Sequence, residues 1–255
     1  MRVTILGCGT SAGVPRVGGP SGAEWGAANP ADPRNRRRRC SLLVQEAGKT
    51  LLVDTSPDIR AQLLDAAVER VDAVLWTHEH ADQVHGIDDL RPYMLRQGVI
   101  ESYSDERTFR ILSQRFTYCF TAEDGFYNPI YRHTCIGEGA FEAAGLPVHA
   151  WVQDHGIATS MGYRFGKVAY ANDVVTLSDS AFAAMAGAEI LIVDAMRYRP
   201  HPTHAHLDRA LEWIERIGPR EAYLTNMHVD MDYAEVDRLT PPNVHPCHDG
   251  LVISV

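Results

Sequence analysis

Residues 77–86 read Thr-His-Glu-His-Ala-Asp-Gln-Val-His-Gly and continue an apolar run that starts at Val71. His78 and His80, one residue apart, and Asp82, two further on, can converge on one cation from a loop at a strand end. Imidazole and carboxylate together suit zinc, manganese or iron. A lone pair of histidines would be read as a polar surface loop. Three histidines and an aspartate within eight residues favour the metal. A second histidine-rich stretch, Arg199-Pro200-His201-Pro202-Thr203-His204-Ala205-His206, runs up to an amphipathic segment beginning at Leu207. A helix N-terminus at that point would itself favour a phosphate. Arg34 and Arg36 to Arg39 could grip phosphate oxygens in bidentate fashion. The plainer reading, a solvated flank of the strand at Ser41 with one Arg at most reaching the site, is the expectation.

Hydrophobic periodicity outlines the elements that must position these residues. Val3–Gly7 reads as a strand closed by a glycine turn. Ser41–Glu46 with Thr50–Asp54, and Met161–Phe165 with Val168–Ala171, read as hairpins. Ser56-Pro57-Asp58 opens a helix expected to turn Ile59, Leu63, Leu64 and Val68 inward. Another begins near Asp88, with Leu90, Tyr93 and Met94 on one face. Leu146–Val152, Glu189–Asp194, Glu221–Thr225 and Leu251–Val255 complete the strands, and Ser178–Met185 and Leu207–Ile217 the helices. Residues 15–39 form a long loop, and residues 100–145 are expected to be irregular capping structure. Hairpin, helix and strand recur in both halves. The plan predicts an α/β fold with two mixed sheets packed together and helices outside, residues 1–255 forming one domain.

Composition narrows the class. The chain has 255 residues, 45% hydrophobic and 22% charged, which excludes a disordered chain or a fibre. No apolar run approaches the roughly 20 residues of a membrane helix. The first residues, MRVTILGCGTS, read as strand and turn rather than a signal peptide. A net charge of −9 argues against a broad nucleic-acid surface, so DNA is not an expected partner. Five scattered cysteines without a C-x-x-C pair argue against a disulfide framework or a Cys-based zinc site, and for a reducing, cytoplasmic setting.

The His-x-His-x-Asp element resembles the signature of the metallo-β-lactamase fold hydrolases, and the likeness extends over nearly the whole chain, to Asp249-Gly250. It implies an αββα sandwich with metal at the mouth between the sheets. It implies His78, His80 and His155 as ligands of a first metal, Asp173 as a bridge, and Asp82 as a ligand of a second. Two positions depart from the pattern. Gln83 stands where the family motif continues with histidine, and Asn226 where the late motif is Thr-His. Both fall on the second site, and an amide oxygen is a weaker ligand than imidazole for a transition metal. His85 and His228 each lie two residues past a lost histidine. The expectation is an altered second site with His228 as the substitute ligand; the alternative is a single metal. Asp54 and Asp194 end buried strands, where such acids often hold ligating histidines from behind.

The stretch before Leu207 resembles a motif of the phosphodiesterase branch, which includes the tRNA 3′-processing nucleases and the cyclic phosphodiesterase of phosphonate breakdown. It implies His204, rather than His201 or His206, as the group near the scissile phosphate. The expected activity is hydrolysis of a small cyclic or nucleotide-like phosphate ester. Metal-activated hydroxide attacks, Asp82 orients it, and His204 is the general acid. One or two divalent ions, zinc or manganese, are the expected cofactors. A thioester or lactone hydrolase of the same fold is the second reading. A degenerate protein that binds a phosphate ligand without turnover is the third, and Gln83 and Asn226 are its support. No Lys/Arg/Gly-rich arm argues for a tRNA substrate, and residues 18–39 hold no cysteine for the structural zinc of the phosphonate-pathway relatives. A homodimer is common among such relatives.

Overall fold

Alternation along the strands sorts the apolar side chains into two clusters. Leu42, Val44, Leu51, Val53, Ala73 and Leu75 enter one; Leu43, Leu52, Val74 and Trp76, at the intervening positions, enter the other. Each of these strands therefore buries both of its faces. In the computed structural model, which describes residues 1–122 and 128–255, the strands form two seven-stranded sheets. The first runs, edge to edge, Val252–Ser254, Arg2–Gly7, Ser41–Glu46, Lys49–Val53, Ala73–Leu75, Ile100–Ser104 and Tyr131–Cys135. The second runs Val244–Pro246, Glu221–Thr225, Ile190–Asp194, Val168–Ala171, Thr159–Phe165, Leu146–Asp154 and Gly139–Ala143. Each sheet changes at its centre from antiparallel to parallel pairing, at Lys49–Val53 and at Val168–Ala171.

The sheets face each other over one core that holds Val3, Ile5 and Leu75 from the first and Trp151, Tyr163 and Ile192 from the second. Helices cover the outer faces, which makes the fold an αββα sandwich. Ile59 and Leu63 of helix Ile59–Asp65, and Tyr93 and Met94 of helix Arg91–Gln97, pack on the first sheet. Ala181 and Met185 of helix Asp179–Met185, and Leu207, Ala210, Trp213 and Ile214 of helix Leu207–Ile217, pack on the second. Among the described residues no helix is long and apolar enough to cross a membrane. All five cysteines are free.

The structure corrects three expectations. Leu64 is 63% exposed, because it lies about 100° around the helix from the buried Leu63. Residues 100–145 are more regular than expected. They supply strands Ile100–Ser104, Tyr131–Cys135 and Gly139–Ala143 and helices Glu106–Arg115 and Thr117–Phe120, although residues 123–127 lie outside the described residues. Tyr131–Cys135 is a sheet edge with only Tyr131 buried, so it carries no apolar alternation to read. The long loop is pinned by short pieces, a two-stranded ladder Arg16–Val17 with Ala23–Glu24 and a turn of 3-10 helix at Pro33–Asn35.

Candidate metal centre

The strand ends deliver the chemistry to one rim. Asp54, Asp173 and Asn226 each follow a strand and each has left-handed backbone, with φ of 62°, 54° and 60°. Asp and Asn are among the few non-glycine residues that adopt this conformation readily, so the residue types fit the turns as well as the site. Gly156, after His155, has φ +78°, and a Cβ there would lie 2.8 Å from the Pro202 carbonyl. That close approach brings the 202–204 loop over the histidines.

His78, His80 and His155 form a triangle of rings with centroids 4.4, 4.9 and 5.2 Å apart. Their ligand nitrogens lie within 4.8 Å of one another. The hydrogen bonds behind them set the tautomers. Asp54 Oδ1 accepts from the Thr77 amide at 2.8 Å, and its Oδ2 from the Thr77 hydroxyl at 2.9 Å. Its hydroxyl proton committed to Asp54, the Thr77 oxygen is free to accept from His78 Nδ1, 3.0 Å away, which leaves His78 Nε2 bare. That nitrogen is buried and has no partner among the described residues. His155 Nδ1 donates to the Thr203 carbonyl at 2.8 Å and leaves its own Nε2 bare. Burial, reinforced by the neighbouring histidines, pushes the pKa of His78 well down. Burial and His204 take His155 down to about 4. Both rings are neutral at pH 7, the form that binds metal. Bare, neutral, converging nitrogens fit a divalent cation. Asp173 lies beside them, its carboxylate grouped with His155 and His204 within the same 4.8 Å.

The carboxylates are held differently. Gln83 Nε2 donates to Asp82 Oδ2 at 3.2 Å and to Asp173 Oδ2 at 3.0 Å. Asn172 Nδ2 donates to Asp173 Oδ2 at 2.6 Å, and Asn226 Nδ2 to Asp173 Oδ1 at 3.2 Å. Asp194 Oδ2 receives His204 Nδ1 at 2.8 Å and the Val174 amide at 3.2 Å. Burial drives the Asp173 and Asp54 carboxyls well above the usual range. For His204 burial acts against the charged ring, but Asp194, Asp173 and Asp82 outweigh it and hold its pKa up at about 9.

Several sequence expectations change here. His228 does not join the cluster: its Nε2 lies 2.9 Å from an Arg16 guanidinium nitrogen and its Nδ1 3.0 Å from Asp230. A nitrogen facing a guanidinium is poorly placed to hold a cation. His85 is exposed and packs edge-on against Phe116. Asp54 supports His78 through Thr77, and Asp194 holds His204 rather than His78, His80 or His155. His201 bonds to Thr203, and His206 precedes the helix without a side-chain cap. The arginine run is used within the fold: Arg34 on Asp32, Arg36 over Trp25, Arg37 on Asn35 and the Met231 carbonyl, Arg38 on Asp65 and Asp249, Arg39 on Asp58. Arg16, outside that run, contacts Glu24 and His228. Thr77, Asn172, Thr203 and Arg107, which pairs with the buried Glu79 of the metal loop at 2.7 Å, went unread because ordinary polar residues show no pattern.

The family described as beta-lactamase superfamily domain matches residues 49–227, and the chain belongs to it. A solved structure titled as a new diphosphatase from the PhnP family covers 100% of this chain and 97% of its own, with TM-score 0.89 and 33% identity. The human short-form tRNase Z has the same fold, with TM-score 0.71 and 16% identity over 100% of this chain and 99% of its own. These neighbours agree with the phosphodiesterase branch of the metallo-β-lactamase fold. A curated relative from Porphyromonas gingivalis (strain ATCC BAA-308 / W83), named octanoyltransferase, is 32% identical over 98% of this chain. The chain spans about half of that relative's length, 51%.

Proposed function

We propose that this chain hydrolyses small phosphate esters in a metal-dependent reaction, with a cyclic or nucleotide-like diester as substrate. The observation that carries this reading is His204. Its Nδ1 is committed to Asp194 at 2.8 Å, while its ring centroid lies 4.8 Å from that of His155. An imidazolium so placed, with a pKa raised to about 9, keeps its proton at neutral pH.

His78, His80 and His155, with Asp173, would hold the cation, zinc or manganese by the chemistry of the donor set. A divalent ion there supplies Lewis acidity and acidifies a bound water. The chain's own groups do the rest. Asp82, linked to Asp173 through the Gln83 amide, orients the attacking water. Asp194 fixes the His204 ring and stabilises its charge. His204 Nε2, with Nδ1 occupied, delivers the proton to the departing alkoxide. Thr203 bonds His155 while its neighbour His204 bonds Asp194, so one short loop aligns ligand and acid. A diphosphatase among the structural neighbours supports phosphate as the reacting group. The acyl-transfer activity in the octanoyltransferase name belongs to a protein about twice as long and is not carried over.

The test is hydrolysis of bis(p-nitrophenyl) phosphate beside a thioester and a lactone, with Mn²⁺, Zn²⁺ or no metal. Diester turnover that needs metal, and that His204→Ala lowers by about 10²–10⁴-fold, is the expected result. Turnover of the thioester or lactone alone would overturn it.

A further inference from the structure

We infer that this chain builds a mononuclear centre, in which the carboxamides of Gln83 and Asn226 take the place of a second cation among the carboxylates. The inference rests on the metal-dependent reading above. It follows from counting donors. A carboxylate that binds a cation is deprotonated and only accepts, through about four lone-pair sites on its two oxygens. Three of those on Asp173 are occupied by N–H groups: Gln83 and Asn172 on Oδ2, Asn226 on Oδ1. One remains, enough to join the three imidazoles on a single ion. A cation shared between Asp173 and Asp82 would have to displace Gln83, whose one amide nitrogen bridges both carboxylates. A cation shared between Asp173 and Asp194 would have to displace Asn226, whose Nδ2 also lies 3.4 Å from Asp194 Oδ2.

The carboxylates decide which way the amides face. Turning Gln83 around would set its oxygen against oxygens of Asp82 and Asp173. The orientation is kept even though it leaves the buried Gln83 Oε1 without a partner among the described residues. His204 completes the closure with an N–H on Asp194 Oδ2. Neither nearby histidine offers a replacement ligand, since His228 faces Arg16 and Asp230 and His85 packs on Phe116. The two amides thus act together, one on each flank of Asp173.

The 255-residue chain, stripped with chelator, reloaded with excess Mn²⁺ and desalted, provides the test. Elemental analysis is expected to give one equivalent per chain, and electron paramagnetic resonance the hyperfine pattern of an isolated ion. The Gln83→His, Asn226→His double variant is expected to hold two equivalents and show an exchange-coupled signal. Histidine tolerates the left-handed backbone at position 226. Two equivalents in the wild-type protein would overturn the inference. A double variant that melts cooperatively yet still holds one would remove the amides as the cause. If that variant does not fold, the wild-type count decides alone. No metal in the wild type would sink both this inference and the metal-dependent reading. One bound metal without ester turnover would sink only the proposed substrate.

Discussion

On one side of the rim, His78 and His155 present bare ring nitrogens, and His78 Nε2 is buried without a partner among the described residues. On the other, Asp82, Asp173 and Asp194 are tied together by N–H groups from Gln83, Asn172, Asn226 and His204. A cation would complete the first side. An unpaired buried acceptor costs about 1–3 kcal/mol, and a metal ion removes that cost. The second side draws its counter-charge and hydrogen bonds from the protein itself. Two kinds of site therefore sit within one cluster: an open set of ligands held ready by Thr77 and Thr203, and a closed polar network.

The sharpest way to break the comparison is to remove a ligand from the open side. His78→Ala or His155→Ala should reduce bound metal to background and ester turnover by more than about 10³-fold, read by elemental analysis and initial rates. On the closed side His204→Ala should keep the metal and lose about 10²–10⁴-fold in kcat. If it also loses the metal, the two sides are one site. Asp54→Asn acts one step behind His78, through Thr77, and should weaken metal affinity by about 10–100-fold in chelator competition.

The pH dependence of stability sharpens the same contrast. The pKa of His204 is raised from 6.5 to about 9 by its carboxylates, so its charged pair stabilises the fold fully below about pH 6.5. That contribution is lost as pH rises through about 9. The melting-temperature gap between wild type and His204→Gln, both metal-free, should be widest near pH 6 and shrink toward pH 9.5 (both values about). A gap that stays constant would mean that the ring is not charged. The smallest effect is expected at Arg16, which belongs to neither side. Arg16→Met should leave metal content unchanged and move KM by at most about fivefold, the worth of a partly exposed ion pair.

Much of the sandwich was legible in the chain. The hairpin Ser41–Glu46 with Lys49–Val53 and the helix Leu207–Ile217 stand where apolar period and turn residues put them. These strands, buried on both faces, leave continuous apolar runs, and the helix, buried on one face, leaves a periodic signature. Tyr131–Cys135, an edge strand with one buried residue, leaves none. At the site, the spacing of His78, His80 and Asp82 along one loop was readable because all three belong to one turn of chain. The fate of His228 was not. Its distance from Asn226 in sequence says nothing of Arg16, 212 residues away, whose guanidinium meets its ring.

The sequence alone determined the residue types at the rim: four imidazoles, three carboxylates, and amides at positions 83 and 226. It also determined that Asp54, Asp173 and Asn226 could take up left-handed turns at strand ends, which few other residues do without strain. Only the tertiary structure decided how those groups pair. Whether an aspartate serves a cation or an amide depends on which donors come within about 3 Å of its oxygens, and hydrogen bonds weaken steeply beyond that. Of the donors to Asp173, Asn172 precedes it in the chain, Asn226 ends another strand of the same sheet, and Gln83 follows a strand of the opposite sheet, so only the fold brings the three together.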